Sequence, residues 1–116
     1  MTDRPRYYTL DAHGEPVPTH DVLAWGLWFQ TSMPARIVAQ EHVGAFWVST
    51  VFLGLDHAFG NGPPVLFETM IFGGSTSRDS VSRNTLHEWR YTTRAGALAG
   101  HAVACEWARQ HQPENA

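Results

Sequence analysis

Glu68 stands between Leu66 and Met70 in an otherwise apolar run, Val65 to Phe72. A carboxylate buried among such neighbours must be paired, hydrogen-bonded or neutralised. One reading makes Glu68 a general base or a ligand contact with a raised pKa. The other makes it structural, bonded to Thr50, a helix-end amide or an Arg. Asp56-His57 sits where the preceding apolar run, Phe46 to Leu55, enters a Gly/Pro-rich loop. Asp can orient His for acid–base work or metal binding. Alternatively Asp56 forms an Asx-type turn and His57 caps the loop. Thr50 and His87 complete the candidate ligand-binding set of Thr50, Asp56, His57, Glu68 and His87. Ser49 and Thr69 are the remaining polar residues that packing leaves unexplained.

Other chemistry is poorly served. Seven histidines invite a metal, yet there is no His-x-His, HExxH or CxxC. His101 and Cys105 stand at i, i+4, a spacing metals use, but two ligands are too few. The sequence therefore calls for no metal and no cofactor. No GxSxG occurs, and Ser49 and Thr50 lie mid-strand, where a nucleophile is hard to reach. Gly60-Asn61-Gly62 is followed by neither Lys nor helix, so it is a turn and not a phosphate loop.

The elements that must position these residues follow from pattern. Tyr7–Leu10 has strand character, Asp11–Gly14 is a turn, and Pro16 and Pro18 hold the chain extended. Thr19 or Asp21 caps a helix over about 21–31, ended by Pro34. That helix is apolar over more than half its circumference, which predicts a helix wedged between two surfaces. Residues 36–42 form a strand and Gly44-Ala45 a turn. Phe46–Leu55 and Val65–Phe72 are strands apolar on both faces, a pattern of covered central strands. A polar loop follows over Ser75–Ser82. A strand over 84–92 carries His87, Trp89 and Tyr91 on one face. Thr92 or Thr93 caps a helix over about 94–110, with Leu98, Ala102, Cys105 and Ala108 as its apolar edge. Gly96 and Gly100 in that helix would permit close packing on the sheet.

If the loop 56–64 closes symmetrically about Gly60, Phe52 lies opposite Glu68 and Val51 opposite Thr69. Thr50 and Glu68 then share one face, and Ser49 and Thr69 the other. Glu68, His87 and His57 would converge at one end of the sheet if the 84–92 strand pairs beside 65–72. The expected fold class is α+β: an antiparallel meander of three to four strands with two helices packed on it.

Composition bounds the partners. The 116 residues make one domain (1–116, with 1–6 and 112–116 loose) able to fold without metal or disulfide staples. Charged residues are only 16%, against a usual ~25%, beside five Trp and six Phe. Few charges with many aromatics point to a dense core or to a surface occupied by a second subunit or partner. The eight basic residues are scattered and the net charge is −3, which leaves no footprint for duplex nucleic acid. The single Cys105 and the absence of an apolar leader in MTDRPRYY point to a cytoplasmic protein. No apolar run approaches the ~20 residues of a membrane span.

The stretch VSTVFLGLDHAFGNGPPVLFETMIFGG (48–74), with YYTLDAHGEPVP before it and RYTTRAGALAGH after it, resembles a family of short uncharacterised proteins of tailed bacteriophages, prophages and their bacterial hosts. The resemblance covers roughly residues 7–101. It departs at Ala97 and Leu98, where an acidic residue is usual. It implies a phage-type accessory protein acting in the host cytoplasm, and it implies no activity. Few charges, many aromatics and no catalytic motif make the first functional reading a non-enzymatic interaction module that binds a host protein or a second copy of itself. The alternatives are a small-molecule or nucleotide binder of anti-defence type, and a small hydrolase using Glu68 or His57.

Overall fold

The computed structural model describes residues 5–58, 60–73 and 84–113. The fold is α+β. β1 (Tyr7–Leu10) and β2 (Pro16–Thr19) form a two-stranded antiparallel hairpin. β3 (Ile37–Val43), β4 (Phe46–Phe52), β5 (Phe67–Gly73) and β6 (Asn84–Tyr91) follow one another across a four-stranded antiparallel meander. α1 (Val22–Thr31) and α2 (Met33–Arg36) connect hairpin to meander, and α3 (Arg94–Gln110) closes the fold. The loop expected over Ser75–Ser82 lies outside the described residues. No helix among the described residues is long and apolar enough to cross a membrane.

Local chemistry explains the element ends. In the β1–β2 turn the Asp11 carboxylate accepts from the backbone N–H of His13 (2.8 Å) and Glu15 (3.0 Å), and Gly14 takes φ +77°. Asp21 caps α1 by accepting from Ala24 N–H at 3.0 Å. α1 stops at Ser32, and Pro34 lies in the first turn of α2, where a missing N–H costs nothing. Thr93 caps α3 by accepting from Gly96 N–H at 3.0 Å.

α3 lies across all four strands of the meander. Its buried residues are Ala97, His101, Ala104, Cys105 and Ala108. The apolar edge expected through Leu98 and Ala102 is therefore out of phase: Leu98 is half-exposed and Ala102 exposed. Small residues face the sheet because the helix sits close to it. Tyr91 lies against Gly100, leaving no room for a Cβ there. Beneath α3 are two apolar clusters. Val43, Phe46, Val48, Ile71, Ala104, Cys105 and Ala108 form one, and Tyr8, Phe52, Leu66, Phe67 and Ala97 the other. Gln112, in the segment expected to be loose, donates to the Val43 (2.8 Å) and Ala108 (2.7 Å) carbonyls and accepts from Ala45 N–H (2.9 Å).

The β4–β5 register differs by one residue from the symmetric expectation. Val51 pairs with Glu68, Thr50 with Thr69, and Phe52 with Phe67. The loop is lopsided because the chain after Leu53 detours to the hairpin. Gly54, at φ +75°, accepts from Tyr8 N–H at 2.9 Å, and Leu55 bridges to Tyr7. A one-residue slip moves every side chain to the other face. Thr50 and Thr69 therefore share the α3 face, and Glu68 lies on the opposite one.

α1 touches the rest of the molecule through its aromatics. Trp25 Nε1 donates to the carbonyls of Tyr8 (3.0 Å) and Gly54 (3.1 Å), and its ring stacks on Phe29. Trp28 meets Phe52 edge-on. The Arg36 guanidinium lies 3.7 Å from the centre of the Phe29 ring. Among the described residues, only one of the two surfaces expected around α1 is present. No residue of α1 is buried; Leu23 is 83% exposed and Leu27 69%.

Candidate functional site

Among the described residues, two places that gather chemically capable side chains stand out. The first is a buried polar chain beneath α3. Thr69 on β5 and Thr50 on β4 are fully buried, with their hydroxyls 2.5 Å apart. Thr50 Oγ1 lies 2.7 Å from His101 Nδ1, and His101 Nε2 lies 2.9 Å from Glu41 Oε1 on β3. Cys105, one turn beyond His101, donates its thiol to the same Glu41 oxygen at 3.1 Å. The alternation of β3 explains Glu41: Ala39 pairs with Thr50, Glu41 with Val48 and Val43 with Phe46, so all three face α3.

With His101 neutral, one proton assignment serves every contact. Thr69 donates to Thr50, Thr50 donates to Nδ1, and Nε2–H donates to Glu41. The hydrogen bonds from Cys105 and His101 hold the Glu41 carboxyl below the usual carboxylate range. Burial, reinforced by Glu41, pushes the Cys105 thiol up to about 12. The order hydroxyl–imidazole–carboxylate imitates a nucleophilic triad. It is sealed, however: Thr50 has no exposed surface for a substrate to reach, and Cys105 is held as the unreactive thiol. Only the Glu41 side chain, half-exposed, opens this chain to solvent.

The second place is a shallow cavity of about 160 Å³ lined by Arg6, Leu55, Asp56, His57, Ala58 and Arg90. Asp56 spans the loop. Its carboxylate accepts from Ala58 N–H (2.8 Å) and Val65 N–H (2.9 Å), and its own N–H donates to the Arg6 carbonyl (2.9 Å). That is the Asx-turn role. Glu68 reaches the cavity wall through Arg90, whose Nε donates to Glu68 Oε2 at 2.9 Å. The ion pair raises the Arg90 pKa further. The cavity is smaller than the roughly 300–1,000 Å³ of a pocket for a drug-sized ligand. It suits a ligand of few heavy atoms.

The five residues singled out in the sequence are not brought together. Asp56 and His57 line the cavity, and Glu68 adjoins it through Arg90. Thr50 lies on the other face, under α3. The strand over 84–92 does pair beside β5, yet His87 stays apart. It pairs with Ile71 on the α3 side, and its ring meets Trp107 (4.4 Å) and Trp89 (5.5 Å). Glu41, His101 and Arg90 carry the polar contacts that sequence reasoning did not assign. Glu41 could have been found by strand alternation, because it stands between Ala39 and Val43. No family model, curated protein or solved structure matches this chain.

Proposed function

We propose that this chain is a non-catalytic interaction module that works by docking α1 onto a second copy of itself. The observation that carries the reading is the bare outer side of α1. The helix VLAWGLWFQT contains no charged residue, and a helix apolar all round is normally buried. Here Val22, Leu23 and Leu27 are 49%, 83% and 69% exposed, and Met33 just beyond is 55% exposed. Large apolar side chains exposed together on one helix mark a site of association.

The second copy is the favoured partner for two reasons. An uncharged stripe meets its own copy without like-charge repulsion. Leu23, Gly26, Leu27 and Gln30 also follow the i, i+3, i+4, i+7 spacing of a helix-packing face, with Gly26 near its centre. A Cβ built on Gly26 meets open space, so a second helix can approach closely there. Two-fold dimers are the commonest soluble assemblies. The sealed Thr50 and the protonated Cys105 argue against a nucleophilic enzyme. The phage-type resemblance supports a small accessory protein of the host cytoplasm, with a host protein as the competing occupant of the same face.

Sedimentation equilibrium tests this. The wild type is expected at twice the 13.0 kDa chain mass, and Leu27→Asp at 13.0 kDa with an unchanged far-UV spectrum. A wild type that stays at 13.0 kDa at high concentration overturns self-association.

A further inference from the structure

The sequence offered two metal-type ligands, His101 and Cys105, and the fold supplies a third. Glu41 arrives on β3 with its carboxylate 2.9 Å from His101 Nε2 and 3.1 Å from Cys105 Sγ. The three donor atoms all lie within 4.8 Å of one another. We propose that Glu41, His101 and Cys105 form a binding site for one divalent transition-metal ion of the Zn²⁺ class, with the fourth position open to solvent on the Glu41 side.

The donor set selects the ion. One thiolate, one imidazole and one carboxylate suit Zn²⁺ and its Co²⁺ surrogate, whereas Ca²⁺ and Mg²⁺ require oxygen shells. The geometry needs little change. Tetrahedral bonds of about 2.0–2.3 Å place donors roughly 3.3–3.7 Å apart. Glu41 Oε1 must therefore draw back by about half an ångström from His101 Nε2 and Cys105 Sγ, and those two atoms, within 4.8 Å of each other, must stand about 3.6 Å apart. Glu41 can supply that movement because its side chain is half-exposed on an edge strand. His101 and Cys105 lie one turn apart on the buried face of α3, where rotation about the Cys105 Cα–Cβ bond sets the distance between Sγ and His101 Nε2.

The outer shell is also built. A metal-bound imidazole uses its other nitrogen to donate a hydrogen bond, which fixes its orientation. His101 Nδ1 already faces Thr50 Oγ1 at 2.7 Å, and Thr50 is backed by Thr69. Both hydroxyls can rotate, so this pair accepts from Nδ1–H as readily as it donates to Nδ1. On binding, Glu41 contributes its carboxylate and His101 the neutral imidazole in the Nδ1–H form. Cys105 gives up its thiol proton, so one proton is released to solvent per ion bound. The bound ion ties α3 to the edge strand β3. This inference stands apart from self-association, since none of the three ligands lies on α1.

Titration of the full chain with Co²⁺ tests it. The expected result is saturation at one equivalent, with a thiolate-to-metal charge-transfer band in the near ultraviolet and the intense visible bands of tetrahedral Co²⁺. Cys105→Ser removes the charge-transfer band. Glu41→Gln, which keeps an oxygen able to accept from His101 and Cys105 but removes the charge a divalent ion needs, weakens binding about tenfold or more. Zn²⁺ displaces the Co²⁺ spectrum and raises the melting temperature, and a chelator reverses both. The proposal is overturned if no charge-transfer band appears at excess Co²⁺. It is equally overturned if the band survives Cys105→Ser, or if affinity is unchanged in Glu41→Gln.

Discussion

Replacing Thr50 by Val removes one hydroxyl from the centre of the buried chain while nearly preserving volume. Thr50 and Thr69 have no exposed surface and His101 is 6% exposed, so water cannot replace what is lost. His101 Nδ1 is left without a donor, which costs about 1–3 kcal/mol. Thr69 also loses its acceptor, which costs about 1 kcal/mol more. The single change should therefore cost about 2–4 kcal/mol. Thr69→Val should cost only about 1 kcal/mol, because Thr50 still donates to His101. The double variant removes the stranded Thr69 hydroxyl along with its partner. It should be less destabilised than the two single changes together, by about 1–2 kcal/mol of coupling. Urea unfolding with tryptophan fluorescence reads all three. With a slope near 1–1.5 kcal/mol per M, Thr50→Val should move the midpoint by roughly 2 M. A shift below about 0.5 kcal/mol, or strict additivity in the double variant, would refute the proton assignment through His101.

Further outcomes follow from the same contacts. In α3, Gly100→Ala improves helix propensity by about 1 kcal/mol, yet its Cβ would collide with Tyr91. The variant should be destabilised by about 1–3 kcal/mol, with a melting point several degrees lower; a rise would contradict the close approach. At the hairpin turn, the N–H groups of Glu15 and His13 hold the Asp11 carboxyl below its ordinary 3.8. A depressed folded pKa stabilises above the unfolded value and loses that contribution as pH falls through the folded one. Carboxyl NMR titration should place Asp11 below 3.8, and the His13 and Glu15 amides should lose exchange protection only at more acid pH. A titration midpoint at or above 3.8 would remove the Asx turn from the account.

The elements were legible in the sequence where local and global demands agree. α3 was anticipated at 94–110 and observed at Arg94–Gln110, because Thr93 caps it and the chain around it is unambiguous. Its buried face was not legible. Leu98 and Val103 are more hydrophobic than Ala97 and Ala104, but closeness to the sheet favours the small residues, and 68% of Val103 stays in solvent. The β4–β5 register was missed for a non-local reason. The detour at Gly54 is set by Tyr8, far away in sequence, and one residue of slip exchanged the neighbours of Thr50 and Glu68. Glu68 was recognised as a carboxylate needing a partner, and Arg90 is that partner. Strand alternation with Ala39 and Val43 places Glu41 on the α3 face, but its role as the meeting point of His101 and Cys105 depends on the packing of α3, which is not local to β3. The two-sided apolar character of α1 was read directly from its residues. The described residues cover only one of those sides.

Cross-linking through α1 tests the central claim most directly. Gly26→Cys places a thiol at the centre of the proposed two-fold crossing, where a Cβ meets nothing in the single chain. Cys105 is buried and held as a thiol, so the new residue is the reactive one. Under mild oxidation the account predicts a disulfide-linked species of twice the 13.0 kDa chain mass. Its formation should outpace that of a control, His13→Cys, on the exposed hairpin turn. A Gly26→Cys protein that stays monomeric, or cross-links no faster than the control, would contradict it.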